Sequence, residues 1–244
     1  MSGTAFHGRT IAVTGANGGI GGETVRQLVA AGADVIACGP TLDAVRPIAE
    51  QTGARPLGFD LTSEDSVRSA LEDVDVDGVV NCAGWGGHVA PVVDAGADVF
   101  DTVMAVNARG ALLVTRYAAR TMIRLGRGGA IVNVSSQASL VALSGHVSYG
   151  ASKAALDSIT RVSALELGPH GIRVNAVNPT VVMTPMSASY WGQPAIEGPF
   201  LASMPLHRWA TEADIAAPIV FLLSDAASMI SGVSLPVDGG YTAR

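Results

Sequence analysis

Short β-branched runs alternate with helix-forming stretches along the whole of this chain, and that alternation constrains the fold more than any other feature. Strands are expected at residues 10–14, 35–38, 54–59, 77–82, 130–135, 173–178 and 233–237. Helices are expected from the glycines after Thr14 to about Ala31, and at 41–51, 63–71, 96–125, 148–167 and 212–223. Strands that alternate with helices imply right-handed crossovers. The expected fold is therefore α/β: one doubly wound, mostly parallel sheet of about seven strands with helices on both faces. A chain of 244 residues suits a single such domain. In sheets of this kind ligands sit at the carboxyl ends of the strands. The Gly15–Gly21 loop, Asp60, the Asn81-Cys-Ala-Gly84 stretch, Ser136 and Pro179-Thr180 all follow strands, and should line one edge.

Composition narrows the partners. Forty-eight per cent of residues are hydrophobic and 15% charged, which fits a compact chain rather than a disordered one. A formal net charge of −6 with no basic cluster argues against nucleic acid or an anionic membrane as partner. No run approaches the ~18 apolar residues of a membrane span, and the opening MSGTAFHGRT carries no apolar signal-peptide core. Cys38 and Cys82 are too few for a disulfide framework and have no metal-ligand neighbours, so a cytoplasmic protein without a metal site is expected.

Two stretches carry chemistry. Gly15-Ala-Asn-Gly-Gly-Ile-Gly21 joins the first strand to the first helix, an arrangement that offers backbone N–H groups and a positive helix end to a pyrophosphate. Tyr149 and Lys153 lie four apart on a predicted helix and so share a face, while Ser136 leaves the preceding strand towards them. Tyr-x-x-x-Lys by itself is a common helical pairing. Next to a serine and a phosphate-binding loop it is a kit for moving a hydride to or from a carbonyl carbon. Tyr149 would serve as acid or base, Ser136 would polarise the oxygen, and Lys153 would bring the phenol down from its usual pKa of about 10 by about 1–3 units.

Thr14-Gly-Ala-Asn-Gly-Gly-Ile-Gly21, Asn81-Cys-Ala-Gly84, Asn107, Ser136 and Tyr149-x-x-x-Lys153 together resemble the short-chain dehydrogenase/reductase family, as does the closing Gly232-Val-Ser-Leu-Pro-Val-Asp-Gly-Gly240. The resemblance implies a Rossmann-type sheet, a nicotinamide dinucleotide and a catalytic set of Asn107, Ser136, Tyr149 and Lys153, with Asn107 holding a water that relays to Lys153. It implies cofactor contacts from Gly15, Asn17, Gly19, Ile20 and Gly21, from Asp60 at the adenine and Leu61 beside it, and from Asn81, Ala83 and Gly84 beneath the cofactor. Tyr149, Lys153 and Pro179 would contribute further, with Val182 and Thr184 at the carboxamide. Cys82 and Thr180 replace the family's usual asparagine and glycine. At the end of the second strand Cys38-Gly39-Pro40-Thr41 supplies neither the carboxylate that binds the ribose of NAD nor the arginine that accepts the phosphate of NADP; of NAD(H) and NADP(H), NAD(H) is favoured because no positive charge is offered.

Within the family, Gly129-Ala-Ile-Val-Asn-Val-Ser-Ser-Gln137 and the stretch from Ala164 to Thr184 are similar to the dicarbonyl/L-xylulose reductase group. That likeness implies substrate contacts from Ser136, Gln137, His146, Tyr149 and Trp191, with small polyols, ketoses or dicarbonyls as substrates. A 3-oxoacyl thioester reductase is the alternative, and a non-catalytic dinucleotide sensor a lesser one. The proline-punctuated segment 184–209 is expected to be a lid over the carbonyl site rather than one long helix. The Tyr/Lys helix carries one apolar stripe of Ala151, Ala155, Ile159 and Val162 and another with Leu156 and Leu167. The family habit makes a homotetramer the expected assembly.

Overall fold

The computed structural model describes residues 5–243 and, within them, all side chains but those of residues 185 and 186; the first four residues of the opening decapeptide lie outside. Seven strands form one parallel sheet in the order β3-β2-β1-β4-β5-β6-β7. They are β1 (Thr10–Thr14), β2 (Asp34–Gly39), β3 (Arg55–Gly58), β4 (Gly78–Asn81), β5 (Gly129–Val134), β6 (Ile172–Pro179) and β7 (Ser234–Val237). Period-two alternation explains how both faces are covered. Ile11, Val13, Val35, Val80, Val132 and Val177 point to one side, where they meet α1 (Gly19–Ala30), α2 (Leu42–Thr52) and α9 (Glu212–Leu223). Ala12, Ile36, Val79, Ile131 and Val174 point to the other, towards α3 (Glu64–Leu71) and α5 (Ala111–Leu125). The remaining helices are α4 (Ala97–Met104), α6 (Val147–Leu167), α7 (Pro185–Trp191) and α8 (Pro194–Ser203).

Sheet order reverses between β1 and β4, so the loops after these two strands diverge to opposite faces and open a crevice at their carboxyl ends. Two features of the helices bear on what lies there. The helical region 96–125 is not continuous: residues Ala105–Gly110 form a π-helical segment between α4 and α5. On α6 the stripe of Ala151, Ala155, Ile159 and Val162 turns outward, and the inward face carries Leu156 among Ser148, Ser152, Lys153, Asp157, Thr160 and Ser163. The helix that bears Tyr149 is thus seated on the sheet largely through polar contacts. One of them, Thr160, accepts a hydrogen bond from Asn133 on β5 at 2.8 Å.

Candidate active site

A cleft of about 980 Å³ runs along the carboxyl edge of the sheet. Of the predicted site residues, all but Asn81 and Asn107 line it. Its floor at one end is the loop from β1 into α1. Gly15 takes a left-handed φ of +66°, and a Cβ there would meet the Ala83 backbone at 2.8 Å. A Cβ on Gly21 would run into the Gly15 carbonyl. Only glycine lets these backbones approach. Thr14 locks the loop to the neighbouring strand, its Oγ1 accepting from the backbone N–H groups of Cys82 and Ala83 at 3.1 and 3.2 Å. The start of α1 has no side-chain cap and no acid in its first turn, whereas α2 and α3 are capped by Thr41 and Ser63. Its N–H groups therefore remain available to an anion lying in the cleft. Asp60, exposed at the far edge, accepts from the Thr62 hydroxyl and N–H at 2.7 and 2.8 Å, which holds its carboxyl below the ordinary range.

Ser136, Tyr149 and Lys153 meet on the wall opposite. The Ser136 hydroxyl hydrogen-bonds the Tyr149 phenol. The Lys153 ammonium is 5.6 Å from the centre of the Tyr149 ring and donates to the Val134 carbonyl at 2.8 Å. One expectation is corrected here. Burial pushes the Tyr149 phenol above 10 and outweighs the opposing hydrogen bond from Ser136. The lysine's effect falls on itself, since burial brings Lys153 down to about 8. At neutral pH, then, the phenol holds its proton and the ammonium keeps its charge.

Neither asparagine lines the cleft itself. Asn81 turns away from the cleft, donating to Asn133 Oδ1 at 2.8 Å and Thr115 Oγ1 at 3.1 Å, and so ties β4 to β5 and α5. Asn107 is 1% exposed at the middle of the π-helical segment. Its amide clamps the Trp85 backbone, accepting from the N–H at 2.8 Å and donating to the carbonyl at 2.9 Å, and donates to Ser152 Oγ at 3.0 Å. Asn107 Oδ1 and Lys153 Nζ each lie 3.4 Å from where a Gly84 Cβ would sit, so they flank the same glycine. A widened turn shifts backbone bonds from i→i+4 to i→i+5, and such turns recur at functional sites.

The other end of the cleft is aromatic. His146, just before α6, stacks on Trp191 with ring centres 5.6 Å apart and meets Tyr190 edge-on at 5.8 Å. The 184–209 segment folds as α7 and α8 with a proline at the start of each, not as one helix. Its aromatics both wall the cleft, through Tyr190 and Trp191, and pack on one another, with Phe200 stacked against Trp209 and Tyr241. Gln137 lines the cleft but is 2% exposed, and its amide oxygen and nitrogen are buried without a hydrogen-bond partner among the described residues.

Sequence reasoning passed over one residue here, and one compositional fact about Lys153. Trp85 lines the cleft beside Gly84, and no spacing rule singles it out. Lys153 is the chain's only lysine, every other fixed side-chain cation being an arginine; that compositional signal was open to reading. No group of three or more His, Cys, Asp or Glu among the described residues is placed to hold a metal, and no described helix is long and apolar enough to cross a membrane.

Comparison with known proteins agrees with this geometry. A family model described as enoyl-(acyl carrier protein) reductase matches residues 15–242. Mouse L-xylulose reductase is 44% identical over 238 residues, covering 97% of each chain. Chicken D-erythrulose reductase is 41% identical over 239 residues with the same coverage. A crystal structure from Beutenbergia cavernae with NADP bound at low occupancy is 33% identical and superposes with a TM-score of 0.94 over the whole of both chains. With a seven-stranded parallel sheet, a glycine cradle at its switch point and relatives of this extent, the chain belongs to the short-chain dehydrogenase/reductase family of nicotinamide-dependent oxidoreductases.

Proposed function

We propose that this protein reduces the carbonyl of small ketoses or dicarbonyls to a secondary alcohol, and runs the same reaction in reverse as a polyol dehydrogenase. The observation that carries this reading is the meeting of Ser136, Tyr149 and Lys153 in one cleft with the glycine cradle. A nicotinamide dinucleotide supplies or accepts the hydride when bound. Gly15, Gly19, Ile20 and Gly21 would hold its diphosphate, Asp60 and Leu61 its adenine, and Val182 and Thr184 its carboxamide. Lys153 would bind the ribose. Ser136 donates to the substrate oxygen and Tyr149 gives up its proton as charge develops there. A phenol that holds its proton at neutral pH suits the reductive direction. His146, Trp191 and Gln137 would border the substrate, the amide of Gln137 matching a hydroxyl. Its smallness fits the relatives that act on L-xylulose and D-erythrulose.

The adenine end of the cleft favours NAD(H). Cys38, Gly39 and Pro40 line it, and Lys153, at the opposite end, is the only cation in the lining. A 2′-phosphate would find no counter-charge. The expected result of a cofactor-oxidation assay over ketoses and diketones is turnover with NADH at least about tenfold more efficient than with NADPH, roughly the factor one missing charged hydrogen bond supplies. Equal efficiency would defeat the preference, and no turnover on any ketose the substrate class. The family model's description raises acyl thioesters as the second reading. An acidic carrier protein needs a basic patch, yet most of the arginines, Arg9, Arg46, Arg68, Arg116, Arg124, Arg127 and Arg208 among them, are each paired with an acid. Acetoacetyl thioester in the same assay separates the two.

A homotetramer built on α5 and α6 accounts for the apolar side chains these helices leave in solvent: Leu112, Ile123, Val147, Val162 and Leu165, the last 79% exposed. Light scattering should give four times the 24.8 kDa chain mass, and a monomeric mass would remove the proposal.

A further inference from the structure

Asp157 lies one turn beyond Lys153 on α6, with 3% of its surface exposed, and the mechanism above does not use it. Its Oδ2 accepts from Ser139 Oγ at 2.6 Å and from Asn178 Nδ2 at 2.9 Å. Those two donors also hold the loop that carries Ser136: Ser139 Oγ lies 2.6 Å and Asn178 Nδ2 3.2 Å from the Ser136 carbonyl, and Asn178 Nδ2 donates to Ser139 Oγ at 2.8 Å. The carboxylate therefore joins three segments: the β5–α6 loop, the end of β6 and α6 itself.

We infer that Asp157 is a positioning residue of this site, tying the Ser136 loop to the helix that bears Tyr149 and acting as the buried counter-charge of Lys153. Hydrogen bonding alone does not require an acid here. An asparagine oxygen would accept from Ser139 and Asn178 equally well, and the second carboxylate oxygen, Oδ1, is buried with no partner. A buried charge left half-satisfied is unfavourable unless an opposite charge compensates it. The buried ammonium of Lys153, four residues earlier on the same helix, is that charge; the two do not form a direct ion pair and couple through the low-dielectric interior. Besides Asp157, the titratable groups facing Lys153 are Tyr149 on its own helix and Cys82 after β4, while Ser135, Asn107 and the Val134 carbonyl are neutral. Burial pushes the Cys82 thiol up to about 12, so it is neutral where Lys153 titrates, and Asp157 is the one acid that supports the ammonium there.

Because Lys153 is the only lysine, protein labelled with isotopic lysine gives one side-chain NMR signal whose pH dependence reads this residue with no reaction needed. The wild-type midpoint should fall near 8. In Asp157→Asn a removed negative charge favours the neutral amine, so the midpoint should drop by roughly one unit. The high-pH limb of kcat for ketone reduction should move the same way, with kcat down about tenfold. Ser139→Ala removes one of the tether's two bridging side chains and leaves the charge; it should lower kcat severalfold with the midpoint unmoved and dinucleotide affinity intact. An unmoved midpoint in Asp157→Asn overturns the counter-charge, and an unchanged kcat in Ser139→Ala overturns the tether even if Asp157→Asn fails to fold. The kinetic arm rests on the proposed function, the NMR arm does not. A wild-type protein inactive on every ketose would therefore fail that function and leave the charge coupling measurable.

Discussion

Replacing Tyr149 by phenylalanine should cost about 10³-fold in kcat for ketone reduction, within the range a positioned proton donor contributes, while dinucleotide affinity stays within about twofold. The ring keeps its place: it sits 5.6 Å from the Lys153 ammonium, a contact that phenylalanine reproduces. Only the hydroxyl goes, and with it the one hydroxyl proton acidic enough to transfer to the substrate oxygen. Ser136 cannot substitute, because an aliphatic hydroxyl is a far weaker acid than a phenol and polarises the carbonyl without giving up its proton. The glycine cradle lies at the other end of the cleft and makes no contact with the phenol, so loss of turnover with retained binding is the signature of the proton donor alone. Stopped-flow turnover and fluorescence titration with the dinucleotide measure the two quantities. Appreciable turnover in the variant would defeat the acid assignment.

The extent to which this site could be read in advance depends on how local each feature is. β1 was legible to the residue because Thr10–Thr14 is a β-branched run closed by glycine, and the last helix because Thr211 and Asp214 cap it from its own first turn. Tyr149 and Lys153 shared a face by helical period alone. The π-helical segment was not legible. Ala-Val-Asn-Ala-Arg-Gly contains good helix formers, and what marks it is the grip of Asn107 on a backbone 22 residues away in sequence. The protonation of Tyr149 was misjudged for the same reason, since Coulomb attraction to a neighbour can be read from spacing whereas desolvation is set by every element that covers the site. The expected path of Asn81 beneath the cofactor followed its motif; the direction of its side chain, towards Asn133 and Thr115, comes from partners that only the sheet register supplies. Asp157 lacked any motif, because its meaning comes from Ser139 and Asn178, which join it through three separate segments.

Gly21→Ala should weaken dinucleotide binding by roughly 10–100-fold and lower Tm, because overpacking by one methyl in a rigid site costs about 1–3 kcal/mol. The added Cβ would be driven into the Gly15 carbonyl oxygen, with the Gly15 carbon at 2.7 Å and the Ala16 nitrogen at 3.1 Å. All three are backbone atoms, so no side chain can rotate away. The turn cannot retreat cheaply either: Gly18 N–H donates to the Gly15 carbonyl at 2.9 Å and Ala16 N–H to the Cys38 carbonyl at 3.1 Å. Gly15 itself holds a left-handed φ against the Ala83 backbone. Relief must come from displacing the loop into the cleft, which closes the space a diphosphate would fill. Gly198→Ala is the control, since a Cβ there meets nothing within 4 Å and the residue lies inside α8; it should be neutral or stabilise by up to about 1 kcal/mol. A folded Gly21→Ala protein that binds the dinucleotide as tightly as wild type would show that the cofactor's phosphates are held elsewhere.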